Sequence, residues 1–383
     1  MKVLMLRTNK VDPDPRVEKE ATSLIKNHNI DLTIHAWDRE NNHKCRKETL
    51  SLPTGKVSIY RIGIKGNWGK GMKHNVFPAL KYEIYLFFWL LLNIKKYDVI
   101  HAFDLMTGYP ALLPAKIFKK KIVYDCCDYY ADSQHGPKFI MNKLRRIETK
   151  VFKRADYSII CSEKRVEQIF PAKPKKLVII HNSPDIENFR IDEDNDNKIC
   201  KSSNNKLKLV YVGNFCHDRW LIELAESVCK LKEKVELHIG GFGGLSNEIN
   251  EIAKTTNNIY TYGKMKYFDV LKLEKECDCI VALYETHLAN HIYAAPNKFY
   301  EALAIGKPLL MIKNSGMSEI VEEENIGITM DATFESFSTS IDKLLELKKD
   351  KKLPKKMIEI FNKKYSWKIM EQRLMKIYEE VSK

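Results

Sequence analysis

From Pro296 to Pro308 the chain reads Pro-Asn-Lys-Phe-Tyr-Glu-Ala-Leu-Ala-Ile-Gly-Lys-Pro. Pro296 and Asn297 favour the start of a helix, and Gly306 and Pro308 stop it. The first turn of a helix leaves backbone N–H groups without intrahelical partners, and these attract phosphate. Lys298 adds a cation at that point. Glu301, one turn in, is a carboxylate of the kind that accepts hydrogen bonds from a ribose diol in dinucleotide sites. One short segment thus holds the groups needed at both ends of a sugar nucleotide. The competing reading of Glu301 is an exposed helix carboxylate favoured by the dipole.

Other residues extend this chemistry. Gly213 and the pair Gly240-Gly241 close two apolar runs, where glycine serves a turn or lets backbone approach a ligand closely. Arg219 offers a charge-assisted hydrogen bond to a leaving diphosphate. Asp128 follows a further apolar run; it either caps a turn or orients an acceptor hydroxyl or the donor sugar. Arg16 and Lys19 follow the first strand, where they either meet phosphate or belong to a solvated helix face. His101, Asp104, His181 and His217 read as structural.

These residues need a scaffold. Val3–Leu6, Ile30–Trp37, 98–102, 121–125, 157–162 and 177–181 read as strands, with helices over Pro15–Asn27 and Pro110–Phe118 between them. Strands that alternate with helices indicate a parallel, doubly wound sheet. An acidic and then Ser/Asn-rich stretch over 192–206 has the composition of a linker or surface loop. The alternation then restarts with strands at 209–213, 235–241, 279–283 and 308–312. Trp367, Met370, Leu374, Ile377, Tyr378 and Val381 recur at helical spacing in the final segment, so this tail must dock on something.

The expected architecture is α/β: two Rossmann-like domains facing across a cleft. The first spans 1–183 plus a returning helix 366–383, and the second spans 184–365. Such an arrangement brings two substrates together and excludes water on closure.

The 383 residues carry a net charge of +14, which favours anionic partners: nucleotide phosphates, nucleic acid or an anionic membrane face. Acidic residues are interleaved throughout, so solvated surface lysines explain the charge equally well. No nucleic-acid-binding motif is present. None of the nine cysteines forms Cys-x-x-Cys, and no Cys/His group has zinc-finger spacing. No Asp-x-Asp lies at a donor loop, and cations with helix N-termini can do a metal's electrostatic work, so no metal is expected. Charged residues soon follow Met1, so no secretory leader is expected, and the thiols read as reduced and cytoplasmic.

The longest apolar run, Ile84–Leu92, is far shorter than the roughly 20 residues that span a bilayer. It reads as a buried helix. The alternative is a membrane-contacting element: Lys56, Arg61, Lys65, Lys70, Lys73 and Lys81 precede it, with Trp68, Phe77 and Tyr82 among them, a mixture suited to an anionic leaflet at the inner face of the cell membrane.

The order of these segments resembles retaining GT-B glycosyltransferases of family 4. Tyr211-Val212-Gly213-Asn214-Phe215 with Asp218-Arg219 is similar to that family's first donor-domain loop, and 239–243 to its glycine loop. Tyr262-Gly263-Lys264-Met265 resembles the segment lining the nucleotide base, and Pro296–Pro308 the donor helix. In the first half, 14–20, 98–104, 123–128 and 181–185 match more loosely.

The resemblance implies a metal-independent, hexosyltransferase-like enzyme with no cofactor. Its co-substrate would be a UDP- or GDP-linked sugar and its acceptor a glycan or lipid-linked glycan, in surface polysaccharide or glycoconjugate synthesis. It places Gly213, Asn214, Arg219, Gly241, Lys264, Pro296, Asn297, Lys298, Phe299 and Glu301 at the donor, and gives Asp128 and Arg219 catalytic roles. Four positions depart from the pattern: Tyr293 replaces an upstream glutamate, Cys127 a histidine, and Asn214 and Trp220 an Arg and a Lys. Two other readings follow from these departures and from the architecture: a sugar-nucleotide-binding partner without turnover, and a sugar-nucleotide epimerase.

Overall fold

The computed structural model describes residues 1–66, 71–134, 136–186, 198–201 and 205–382, without the side chains of 71–73. Most of the expected linker, together with Trp68, Lys70 and the Lys73 side chain, lies outside this set. The chain divides into two units, Met1–His181 with Met370–Lys383, and Asn182–Ile369.

The first unit is built on eight strands: β1 (Lys2–Arg7), β2 (Asp31–Asp38), β3 (His43–Leu52), β4 (Gly55–Gly63), β5 (Val99–Phe103), β6 (Lys121–Cys126), β7 (Tyr157–Ile160) and β8 (Leu177–Ile179). Their order is β3-β4-β2-β1-β5-β6-β7-β8. All neighbours are parallel except β3 and β4. The central strands are continuous apolar runs because helices cover both their faces. The antiparallel β3–β4 edge is not among the expected strands.

Three helices of this unit matter below: α1 (Pro15–Ile25), α2 (Gly71–Leu92) and α3 (Leu105–Ile117). Asp14 caps α1 by accepting from the Val17 amide. α2 runs far beyond the expected apolar run, continuing through Pro78. It is also not the buried helix expected: Leu86, Trp89 and Leu90 are buried, while Ile84, Phe88 and Leu92 are exposed. Two residues of the expected basic and aromatic surface turn inward. Tyr82 is fully buried, stacked on Trp37 at 4.6 Å. The Arg61 guanidinium is taken by Glu48 and by the carbonyls of Lys10 and Val11.

The C-terminal helix Trp367–Val381 docks on this unit from Met370 onward. Met370, Leu374, Ile377 and Tyr378 are buried. Tyr378 Oη lies 2.7 Å from His101 Nδ1 on β5. Arg373 donates to the Ile179 carbonyl at 2.8 Å, and Lys26, just past the end of α1, meets Glu371 at 2.7 Å.

The second unit has six parallel strands: β9 (Leu207–Phe215), β10 (Val235–Gly243), β11 (Ile259–Thr261), β12 (Cys279–Ala282), β13 (Leu309–Ile312) and β14 (Gly327–Met330). Their order is β11-β10-β9-β12-β13-β14. Two apolar clusters sandwich this sheet, one around Leu224, Phe337 and Ile341, the other around Phe299, Leu303 and Met357.

Strand order reverses between β1 and β5 in the first unit and between β9 and β12 in the second. The loops after the carboxyl ends of those strands are where ligands bind in open α/β sheets.

Candidate functional site

In the second unit the reversal gathers several of the expected residues around Tyr211. This tyrosine is buried in β9, and its hydroxyl donates to the Asn214 carbonyl at 2.7 Å. The Lys298 ammonium sits 5.3 Å from its ring centre. The Arg219 guanidinium, on a short turn after β9, lies over Tyr284, just past β12, at 3.4 Å. Arg219 Nη1 is buried and has no hydrogen-bond partner among the described residues. A buried donor left unused costs free energy unless an acceptor meets it. Trp220, at the position where the resemblance expects a lysine, is buried against Phe337 instead.

The helix Asn297–Ile305 begins without a side-chain cap and ends at Gly306, whose φ is +70°. Pro296 is buried and sets its start; Asn297 is exposed and accepts from Asn182 Nδ2 at 2.7 Å. Lys298 is nearly buried and reaches Glu274 at 3.5 Å. Glu301 is only 3% exposed, so it is not a solvated helix carboxylate. It shares a hydrogen bond with Tyr267 and lies beside Glu274. Burial, reinforced by Glu301, pushes the Glu274 carboxyl up to about 8 against the pull of Lys298. Two carboxyls and one ammonium are therefore buried together, an arrangement that favours the protonated form of Glu274.

The expectation for Phe299 is corrected. It is fully buried in edge contact with Tyr300 and Tyr365, at 5.2 and 5.6 Å, and has no surface to offer a ligand. Gly241 has a reason of its own: its φ is +138°, and a Cβ there would lie 1.8 Å from the Gly213 carbonyl oxygen. The close approach of β9 and β10 demands glycine. Lys264, past the end of β11, is exposed and lies 5.4 Å from the ring centre of exposed Phe242, the residue before Gly243 at the end of β10.

In the first unit Asp128 is exposed and accepts from buried Arg165 at 2.9 Å. The more constrained carboxylate is Asp104, which reads from the sequence as merely structural. Its φ is +61°, rare for any residue but glycine. Oδ1 accepts from the amides of Cys127 and Asp128, at 3.0 and 3.3 Å, and Oδ2 from Arg7 Nη1 at 2.8 Å. Burial pushes its carboxyl up to about 6 despite Arg7. Arg7 ends β1 and Asp104 follows β5, so the pair spans the reversal. Backbone strain held by three hydrogen bonds is what marks Asp104, and no sequence pattern carries that signal. Arg16 is neither solvated nor open to phosphate: it is buried, with a double hydrogen bond to Asp125 and a carbonyl contact to Ile180.

Two groups of metal-ligand type converge without any spacing that announces them, Cys200 with His238 and Cys277, and Glu20 with His101 and Asp125. Both His238 ring nitrogens are engaged, Nδ1 with Tyr262 at 2.8 Å and Nε2 with Glu236 at 3.1 Å. In the second group the Arg16 guanidinium already supplies the cation, 2.8 Å from Asp125 and 3.2 Å from Glu20.

Residues 192–364 match the family model of glycosyl transferases group 1. The chain carries a group 1 glycosyltransferase domain. Its whole length also has the fold of solved GT-B glycosyltransferases. Sucrose-phosphate synthase from Thermosynechococcus elongatus is similar at TM-score 0.72 and 12% identity, over 100% of this chain and 99% of that one. The catalytic domain of starch synthase IV from Arabidopsis thaliana, bound to ADP and acarbose, is similar at 0.69 and 12%, over 100% of both. HepE from Anabaena in complex with UDP is similar at 0.65 and 14%, over 99% and 100%. No curated protein sequence matches. The group 1 domain and the GT-B fold together support a nucleotide-sugar glycosyltransferase.

Proposed function

We propose that this glycosyltransferase is retaining and metal-independent, and moves a hexose from a nucleotide-diphosphate sugar to a hydroxyl of a glycan or lipid-linked glycan in surface polysaccharide or glycoconjugate synthesis. The observation that carries the reading is Arg219, a half-buried side chain whose Nη1 is buried with no hydrogen-bond partner among the described residues, at the strand reversal of the group 1 domain. Lys298 lies 5.3 Å from the Tyr211 ring centre, at the start of an uncapped helix.

In the reaction the bond from the anomeric carbon to the diphosphate oxygen breaks. The acceptor oxygen bonds that carbon on the same face, and its proton passes to the departing phosphate. Negative charge grows on the diphosphate as the bond lengthens, and fixed cations and helix amides stabilise that charge most. A leaving group that takes the proton removes the need for a histidine at Cys127. The anionic nucleotide also meets the Nη1 donor of Arg219 that has no partner among the described residues. HepE was solved with UDP and with UDP-glucose, which puts uridine first among the bases, with guanosine beside it.

The test is a melting-temperature series with UDP, GDP, ADP and their glucose conjugates, with and without EDTA. Ligand at 100 times its Kd stabilises the native state by about 2.7 kcal/mol. One diphosphate series should raise the melting temperature, EDTA should change nothing, and the product should keep the donor's anomeric configuration by NMR. No shift with any nucleotide sinks the donor reading, and an inverted product sinks retention. Binding without turnover on any acceptor glycan leaves the chain a non-catalytic partner.

A further inference from the structure

We propose that the outer faces of α2 and α3 seat the first unit on the surface of an anionic lipid bilayer. The inference goes beyond the donor chemistry and does not depend on it.

The two helices pack side by side on the sheet. The inner half of α2 is core, through Tyr82, Leu86, Trp89 and Leu90. Its outer half is apolar as well. Val76, Leu80, Ile84, Phe88 and Leu92 are exposed, from 48% at Val76 to 84% at Leu92. At 100° per residue these positions sweep about half the helix circumference, and Phe77 falls among them at 83% exposure. Between Val76 and Leu92 the only charged residues are Lys81 and Glu83. α3 continues the surface with Tyr109, Leu113 and Ile117, four residues apart and each about half exposed. A contiguous apolar face of this size is uncommon on a soluble monomer unless something covers it.

The charges around this face identify the cover. α2 leads into β5 and α3 into β6, and these strands are parallel and begin side by side, with the Lys121 amide donating to the Asp98 carbonyl. The carboxyl ends of both helices therefore reach the same edge of the sheet. Lys95, Lys96, Lys116, Lys119 and Lys120 gather there, with Asp98 and Asp156 as nearby acids. An apolar plane with a lysine edge complements acyl chains beneath anionic headgroups. A second copy of the chain would bring another lysine edge of the same sign.

His74–Leu92 is apolar and long enough to cross a bilayer, yet only 22% of that window is buried in the fold. Its inner half is fixed to Trp37 and the sheet, so α2 lies along the interface instead of passing through it. A lipid-linked acceptor held in the same leaflet would then meet the enzyme by diffusion in two dimensions.

The full chain is floated with vesicles of phosphatidylcholine alone and of phosphatidylcholine with phosphatidylglycerol. It should float with the anionic vesicles and be released by salt. Phe88→Glu with Leu113→Glu should abolish flotation at an unchanged melting temperature, since both side chains face outward. Lys116→Glu with Lys119→Glu should weaken binding to anionic vesicles by at least about tenfold and leave the neutral-vesicle baseline alone. Failure of the wild type to float with anionic vesicles overturns the proposal, as does equal flotation of the Phe88/Leu113 variant. A dimer by sedimentation velocity that dissociates in that same variant overturns it too, by assigning the face to a second copy.

Discussion

The Arg219 guanidinium carbon lies over the Tyr284 ring, 3.4 Å from its centre, with Nη1 buried and unmatched among the described residues. The two residues belong to loops after β9 and β12, the strands between which the sheet order reverses. The aromatic ring holds the cation in place by a cation–π contact, so little ordering entropy is left for a ligand to supply.

Arg219→Ala should therefore weaken binding of the nucleoside diphosphate. Loss of one charge-assisted hydrogen bond is worth about 1.5–3 kcal/mol, or about 10- to 100-fold in Kd. Arg219→Lys keeps the charge but loses the planar stack and the second donor, so its Kd should fall between the two. Calorimetric titration with UDP and GDP reads both. Unchanged affinity in the alanine variant would remove Arg219 from the phosphates.

Gly241→Ala separates a structural role from a ligand contact. An added Cβ would overlap the Gly213 carbonyl oxygen, and φ at +138° is strained for any side chain. The expected loss is about 2–4 kcal/mol of stability, seen as a lower urea midpoint in the ligand-free protein. A variant as stable as wild type with weaker donor binding would instead put Gly241 in the site.

Glu148 gives the first unit a pH dependence. It is fully buried in the helix Lys138–Arg154, accepting from Tyr124 Oη at 2.8 Å and the Tyr130 amide at 3.0 Å. Burial raises its carboxyl from 4.5 to about 8. The native chain thus holds a proton that the unfolded chain has released between those values. The contribution is complete below the unfolded value and is lost as pH rises toward the folded one. Urea midpoints should fall between about pH 5 and about pH 8. Glu148→Gln, neutral throughout, should flatten that decline; an equal slope in the variant would place the proton elsewhere.

Much of the scaffold was legible because the buried parallel strands are apolar runs punctuated by helices with one apolar face. The hairpin edge escaped for the opposite reason. β3 reads His-Lys-Cys-Arg-Lys-Glu-Thr-Leu-Ser-Leu, an edge strand with half of its residues exposed, a single buried one and no apolar run. Glu301 was visible as a lone carboxylate in an apolar helix. Its enclosure was not, because Tyr267 and Glu274 come from a helix far upstream in sequence. Phe299 carried the right motif and the wrong inference: an aromatic beside a site residue points the other way around the helix, into the core. Asp104 was missed because its distinction is a backbone angle.

The docked C-terminal helix bears on how the protein is made. The face of the first unit that holds Tyr378 and Leu374 is complete only when residues from Met370 onward have been synthesised. Roughly 190 residues of the second unit come between, which at ~5–20 residues per second is about 10–40 s of translation. For that interval the nascent first unit leaves His101 and its apolar surroundings uncovered. The continuous second unit can close before its predecessor does, so a chaperone holding the newborn chain should be released when the helix Trp367–Val381 docks.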